Sequence, residues 1–321
     1  MIDSPVVIAG SGRSGSTWVL DSIAEANSFR TIFEPLHPIH NPYAKMFHEK
    51  YVKDDAHEPE LRLLMDKVFS GSIKSLWSNY RIESDWFHLS SLFNSGSLKQ
   101  KIGPVINNYK KIVNGYLKYQ RQKKYDEIIV KFIRANLMLG WLSNNYDINI
   151  LLVLRHPGGV VASKKKLVGS GWKHEPLLRQ YLEDKHLMED FPEIGEVLAR
   201  PLSYVEAQTV IWCIQNLIPI KNAEKNNIYI SFYEHLLDDP ASEYDRIIKE
   251  FNIDRLPDMN TIGKPSQQVS KEMKNSSFTK LQISKWMKSF GESQLREMDS
   301  ILKYFKVDFY SAFDPVPQRR L

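Results

Sequence analysis

Five short runs of this chain are apolar almost from end to end: Pro5–Ala9, Phe29–Phe33, Glu127–Ile133, Asn149–Leu154 and Asn227–Phe232. Stretches such as Ile128-Ile129-Val130 and Ile150-Leu151-Leu152-Val153-Leu154 are too uniformly apolar for a sheet with one wet face. They predict strands buried on both sides. Between the runs, Trp18–Ala26, Val160–Leu167, Tyr204–Lys221 and Ala241–Phe251 repeat their apolar residues with helical spacing, and the tail Phe278–Phe305 does so again. Strands alternating with helices predict an α/β fold, a parallel β-sheet flanked by helices and joined by right-handed crossovers. Ligands of such sheets collect beyond the carboxyl ends of the strands.

From about residue 40 to 124 the alternation lapses. The stretch is rich in aromatic and charged residues and predicts a mostly helical insertion over the ligand edge, within a single domain spanning 1–321. Its last part carries Lys110, Lys111, Lys118, Arg121, Lys123 and Lys124, interleaved with Tyr109, Tyr116 and Tyr119. A solvated helix face and a groove for an acidic substrate both fit that pattern. Trp77, Tyr80, Trp86 and Phe87 fit a sugar-stacking surface or a plain helical core. Residues 257–277 read as a polar loop.

Composition narrows the picture. An apolar fraction of 42% with 12% aromatics supplies a real core and excludes general disorder. The net charge of +5 suits an anionic ligand without requiring nucleic acid. A lone cysteine, Cys213, rules out an intrachain disulfide and a cysteine-based metal site, and its apolar setting predicts an inert buried thiol. No apolar run approaches the roughly 18 residues of a membrane span. With a core strand close to residue 1 and no leader-like segment, a soluble cytoplasmic protein is expected, although a trimmed luminal domain would look the same.

The candidate chemistry begins at Gly10-Ser11-Gly12-Arg13-Ser14-Gly15-Ser16-Thr17, between the first strand and the first helix. A glycine-rich turn in that place aims backbone N–H groups and a positive helix end at an anion. The spacing matches the phosphate-loop pattern, but Ser16 stands where the lysine belongs and the positive charge sits at Arg13. A second candidate is Leu154-Arg155-His156-Pro157, with Ser163 further along the following helix. Pro157 suits a first helical turn. An arginine fork and a serine hydroxyl together suit a phosphate. Two anion sites on one edge predict a ligand phosphorylated at both ends.

These blocks resemble the sulfotransferases that use 3′-phosphoadenosine 5′-phosphosulfate (PAPS). Gly12-Arg13-Ser14-Gly15-Ser16-Thr17-Trp18 is similar to the family's 5′-phosphosulfate loop, and arginine at position 13 is closer to the carbohydrate enzymes than to the cytosolic aryl and steroid enzymes. Arg155 and Ser163 resemble the 3′-phosphate motif, which often has aspartate where His156 stands. Tyr229-Ile230-Ser231-Phe232-Tyr233-Glu234 with Asp238-Asp239-Pro240 resembles a strand-to-helix segment whose tyrosine lies near the adenine, and Phe33-Glu34-Pro35-Leu36 resembles an acidic motif after the second strand.

The resemblance implies a phosphate-loop-like sulfotransferase fold. It implies PAPS as co-substrate, no metal, and an acceptor hydroxyl on a carbohydrate or glycolipid. It also implies nucleotide contacts from Gly12, Arg13, Ser14, Gly15, Ser16, Thr17, Trp18, Arg155, Ser163 and Tyr233, with Trp18 stacking on adenine. Arg13 and Glu34 are the candidate catalytic residues. Arg13 would stabilise charge on the leaving phosphate, and Glu34 would take the acceptor's proton. An ion-paired Glu34, with Lys131 or Arg134 as partner, is the structural alternative, and His37 and His40 are rival bases. Lys131 and Arg134 are candidates to hold the sulfuryl group or the substrate. A small-molecule or nucleoside kinase and a non-catalytic polyanion-binding module are the competing functions. Neither nucleic acid nor a membrane span is expected as a partner, and the oligomeric state is not readable.

Overall fold

The apolar runs form five parallel strands: β1 (Val6–Ala9), β2 (Arg30–Phe33), β3 (Ile128–Phe132), β4 (Asn149–Leu154) and β5 (Ile228–Phe232), in the order β2-β3-β1-β4-β5. They belong to a computed structural model that describes residues 4–82, 110, 112–167, 173–258, 281–318 and 321. Val6 sits opposite Ile129 on one side and Asn149 on the other, so β1 is central. Side chains alternate between two buried cores. Val7, Ile32, Val130, Ile150 and Leu152 feed one, and Val6, Ile8, Ile129, Leu151 and Val153 feed the other. Each such aliphatic side chain contributes about 1.5–3 kcal/mol by leaving water.

The helices in chain order are α1 (Ser16–Asn27), α2 (Pro59–Phe69), α3 (Leu76–Tyr80), α4 (112–122) and α5 (Leu139–Asn145), then α6 (Pro157–Lys165), α7 (Glu175–Glu183), α8 (Lys185–Asp190) and α9 (Pro192–Leu198). After them come α10 (Tyr204–Lys221), α11 (Tyr233–Asp238), α12 (Pro240–Glu250), a single helical turn at Leu281–Ser284, and α13 (Glu292–Tyr304). Helices α1, α11 and α12 cover one face of the sheet, and α2, α5, α6, α10 and α13 cover the other. Ser203 starts α10 with a capping box: its hydroxyl accepts from Glu206 N at 3.2 Å, and Ser203 N donates to Glu206 Oε2 at 2.8 Å. Cys213 on α10 is buried, and burial raises its thiol pKa well above the ordinary value.

Within 40–124 the described regular elements are a 3-10 turn at Pro42–Met46 and helices α2 to α4. Helix α4 covers the outer edge of β2. Thr31 Oγ1 donates to Gln122 Oε1 at 2.8 Å, and Arg30 reaches the Tyr119 hydroxyl at 3.3 Å. These contacts occupy an edge that would otherwise pair with another chain. Lys118 pairs with Asp21 at 3.4 Å, whereas Arg121, Lys123 and Lys124 are exposed. Most of the described basic stretch is therefore solvated. Tyr109, Lys111, Trp86 and Phe87 lie outside the described residues, as does nearly all of the polar loop 257–277. Trp77 is buried against Phe33, in the manner of a core side chain.

The chain leaves β1 toward β2 and leaves β4 toward β5, on opposite sides of the sheet. The crevice between the carboxyl ends of β1 and β4 is where such a reversal places a ligand. Both candidate anion motifs open there. Among the described residues no helix is long and apolar enough to cross a membrane.

Candidate active site

Beyond Ala9 the chain turns sharply into α1. Arg13 has φ +77° and Gly15 has φ +97°. Left-handed backbone at two closely spaced positions gathers N–H groups on one side, as anion-binding nests do. Glycine is required at 15, because a Cβ there would lie 2.5 Å from the Tyr233 ring. Arg13 has no such dispensation. A non-glycine residue held at this φ costs on the order of 1–3 kcal/mol and is typical of functional sites. No side chain caps α1, so the N–H groups of its first turn, Ser16 and Thr17 among them, face outward at the positive end of the helix. The Ser11 and Ser14 hydroxyls are buried beside them without a hydrogen-bond partner.

The second motif meets the first directly. Arg13 Nε donates to Ser163 Oγ at 2.9 Å, across 150 positions of sequence. Arg155 donates to the Arg13 carbonyl at 3.0 Å, and its guanidinium lies 4.4 Å from the centre of the Tyr233 ring. Burial, and then the charge of Arg155, lower the Arg13 pKa. Two guanidinium groups thus stand side by side, and among the described residues no carboxylate forms a salt bridge with either. Such a site favours an anion.

Several residues given no part in the site from sequence hold Arg155 in place. Trp212 Nε1 donates to the Arg155 carbonyl at 2.9 Å. Glu234 accepts from His156 N at 3.0 Å and from the Tyr310 hydroxyl at 2.6 Å. His156 caps α6: Nδ1 accepts from Gly158 N at 3.0 Å, leaving Nε2–H to donate to Ser311 O at 2.9 Å. Burial pushes its pKa down to about 3, so the ring is neutral. The histidine cap is neutral and ties the helix start to the C-terminal segment. The only hint in sequence was the Tyr-Glu pair at 233–234.

At Gly158 and Gly159 the space beside the backbone is already taken. A Cβ at 158 would meet the Trp286 ring at 2.3 Å, and one at 159 would meet Arg155 Nε at 2.9 Å. Trp18 and Tyr233 likewise depart from the expected adenine contacts. Each is only 5% exposed, and their rings meet edge to face at 6.0 Å. Trp18 also packs against Tyr244, on the core side of α1. In this arrangement Trp18 is a core aromatic, and Tyr233 is the floor beneath Arg155 and Gly15.

Glu34 follows β2 with φ +42° and is 5% exposed. Lys131 Nζ donates to its Oε1 at 2.5 Å, and Arg134 donates to its Oε2 at 2.8 Å. Burial alone would raise the carboxyl pKa, but the two cations outweigh it and hold the pKa below the ordinary value. The structure therefore places Glu34 in the ion-paired alternative. A carboxylate with both oxygens held by cations is a poor proton acceptor. Lys131 is buried, its ammonium 4.5 Å from the centre of the Phe33 ring, and is occupied by Glu34.

Three residues beyond Glu34, His37 stacks on His40 at 4.4 Å and meets Trp77 at 5.2 Å. Burial, with Arg134 adding to it, lowers the His37 pKa to about 3, and its Nδ1 is buried without a partner. Its backbone N–H donates to Glu34 O at 3.1 Å. The edge thus brings together Arg13, Arg155 and Ser163 in one group and Glu34, His37, Lys131 and Arg134 in another.

No family model matches the chain, and no curated protein matches it. Among solved structures the chain is similar to the sulfotransferase domain from the Synechococcus PCC 7002 olefin synthase, with TM-score 0.47 and 16% identity over 95% of this chain and 96% of that one. It is similar to the sulfotransferase domain from the curacin biosynthetic pathway, with TM-score 0.47 and 12% identity over 94% and 98%. It is also similar to sulfotransferase STF9 from Mycobacterium avium, with TM-score 0.39 and 12% identity over 97% and 79%.

Proposed function

We propose that this chain is a sulfotransferase that moves a sulfuryl group from PAPS to an acceptor hydroxyl on a carbohydrate or glycolipid. The observation that carries the reading is the junction of the two anion motifs: Arg13 Nε on Ser163 Oγ at 2.9 Å and Arg155 on the Arg13 carbonyl at 3.0 Å. One nucleotide with charged groups on two ribose carbons fits a rim where both motifs meet. The residues present suit such a ligand. Arg13, Gly12, Ser14 and the N–H groups of Gly15, Ser16 and Thr17 hold the 5′-phosphosulfate, and Arg155 and Ser163 hold the 3′-phosphate. The buried, unpartnered Ser11 and Ser14 hydroxyls are the observation that tests the fit.

The acceptor oxygen forms a bond to sulfur, the bond from sulfur to the 5′-phosphate oxygen breaks, and the acceptor proton leaves. Arg13 stabilises the charge that grows on that phosphate, a role in which one fixed donor is worth about 10²–10³ in rate. We assign the proton to His37 rather than Glu34: the His37 ring is neutral and its Nδ1 has no partner, whereas both oxygens of Glu34 are held by cations. Glu34 fixes Lys131 and Arg134 as the positive wall of the site. Fixed cations serve here where a kinase would use magnesium.

Calorimetry with adenosine 3′,5′-bisphosphate tests the reading. The wild-type chain is expected to bind without magnesium, and Arg13→Ala and Arg155→Ala to bind much more weakly. Wild-type affinity in both variants would remove the nucleotide from this rim. His37→Ala is expected to keep nucleotide affinity and lose turnover by about 10²–10⁴. Unchanged turnover would return the proton to Glu34 or His40.

A further inference from the structure

The peptide group between Arg155 and His156 joins the end of β4 to the start of α6. It lies beyond the ladder of the sheet and before the first turn of the helix, so other groups must fix it. Side chains do so at both of its polar ends. Trp212 Nε1 donates to the carbonyl at 2.9 Å, and the N–H donates to Glu234 Oε1 at 3.0 Å. The Arg155 side chain is aimed from this peptide. A planar guanidinium donates along fixed directions, so a small tilt of its anchor misdirects the donors.

Glu234 is itself anchored. Its Oε2 accepts from the Tyr310 hydroxyl at 2.6 Å, and the two residues are 3% and 2% exposed. Tyr310 follows α13, so residues late in the chain brace the strand end that carries Arg155. The Tyr310 ring also meets the His156 ring edge to face at 4.7 Å, and His156 stacks on Trp286 at 4.3 Å. On α11, Tyr233 lies under the Arg155 guanidinium while its neighbour Glu234 holds the Arg155 peptide. The Glu234 carboxyl is thus committed to a peptide and a phenol. It holds Arg155 by the backbone and leaves the guanidinium charge for an anion from outside.

The turn that carries Arg13 is closed separately. Ser14 N donates to Ser11 O at 3.0 Å, and Trp18 N donates to Gly15 O at 2.9 Å. Loosening Glu234 or Tyr310 therefore bears on Arg155 and leaves the first anion-binding group its shape.

We propose that Glu234 and Tyr310 are positioning residues that aim Arg155 at a 3′-phosphate, and so set a preference for a 3′-phosphorylated nucleotide over one phosphorylated at the 5′ position alone. The identity of the anion rests on the sulfotransferase reading; the mounting of Arg155 stands on the geometry.

Calorimetry on the full chain with adenosine 3′,5′-bisphosphate and with adenosine 5′-phosphate tests it, since the second ligand lacks the group assigned to Arg155. Tyr310→Phe removes one hydroxyl and keeps the ring. It is expected to weaken the bisphosphate about threefold to tenfold, the worth of one hydrogen bond, and to leave adenosine 5′-phosphate within about twofold of wild type. Glu234→Leu is expected to act in the same sense and more strongly. Glu234→Gln, whose amide oxygen still accepts from His156 N, is expected to restore the preference. A role confined to stability would lower the melting temperature and leave the ratio of the two affinities unchanged. An unchanged ratio in Tyr310→Phe, or equal weakening of both ligands, overturns the proposal. If the wild-type chain binds neither nucleotide, the sulfotransferase reading falls, and the Arg155 Nε–H resonance of the nucleotide-free protein decides the mounting. That resonance, set by the Tyr233 ring, is expected to move in Tyr310→Phe; an unmoved resonance means that Glu234 and Tyr310 do not aim the guanidinium.

Discussion

Arg13 and Arg155 lie beside one another without a carboxylate partner among the described residues, whereas Lys131 and Arg134, on the neighbouring part of the edge, close on the two oxygens of Glu34. Both groups are cationic, both lie at the carboxyl ends of strands, and both include a strained residue, Arg13 in one and Glu34 in the other. The difference is where the compensating charge comes from. In the second group the protein supplies it. In the first the fold holds two like charges together with hydrogen bonds to backbone and serine, and the anion must come from outside. Positive charge alone does not mark a ligand site; positive charge that the protein leaves uncompensated does.

The largest effect is expected where the group built round Glu34 is broken. Glu34→Gln leaves Lys131, whose side chain is 2% exposed, without its counter-charge. Removing one member of a buried ion pair costs about 3–5 kcal/mol. Denaturant unfolding at neutral pH checks this, and a loss below about 1 kcal/mol would mean the pair is not buried as described. Nucleotide affinity is expected to stay near wild type. The pH dependence follows from the depressed pKa of Glu34. The folded state binds its proton less readily than the unfolded chain does, so the stabilisation is complete above the ordinary carboxyl pKa. It is lost as pH falls through the lowered value in the fold. Glu34→Gln should remove that part of the acid sensitivity.

Arg13→Ala and Arg155→Ala reverse the pattern. Each is expected to weaken adenosine 3′,5′-bisphosphate by about 10–150-fold, the worth of a hydrogen bond to a charged group. Neither should cost much stability, since each also relieves repulsion between the two guanidinium groups. A variant that loses stability and keeps affinity would show that the arginines are scaffold and that the comparison is wrong.

The contrast between the two groups also marks the limit of the sequence. The five strands, the ends of α10 and the placing of both anion motifs on one sheet edge were legible, because apolar runs and glycine-rich turns are local signals. Helices α7, α8 and α9 were not read. They are 9, 6 and 7 residues long, too short for a helical period to stand out. The state of Glu34 was undecidable from sequence, because it depends on Lys131 and Arg134 arriving from β3, about a hundred positions away. The packing around Trp18 and Tyr233 was hidden from sequence for a related reason. An aromatic beside a phosphate loop reads the same whether its face is open or covered, and only the packing of α11 on α1 decides.

The smallest effect sharpens the comparison most. Gly159 lies in α6, where alanine would ordinarily stabilise the helix by about 0.5–1 kcal/mol. Its Cβ would press on Arg155 Nε at 2.9 Å. A guanidinium on a flexible stem can yield to that contact, so the fold keeps the helical gain while Arg155 moves off the Tyr233 ring. Gly159→Ala is therefore expected to melt at or slightly above the wild-type temperature and to bind adenosine 3′,5′-bisphosphate a few-fold more weakly. Such an opposition of stability and affinity at one residue is what an uncompensated ligand site produces. If stability and affinity fell together, Arg155 would be part of the scaffold, and its likeness to the Glu34 group would replace the contrast.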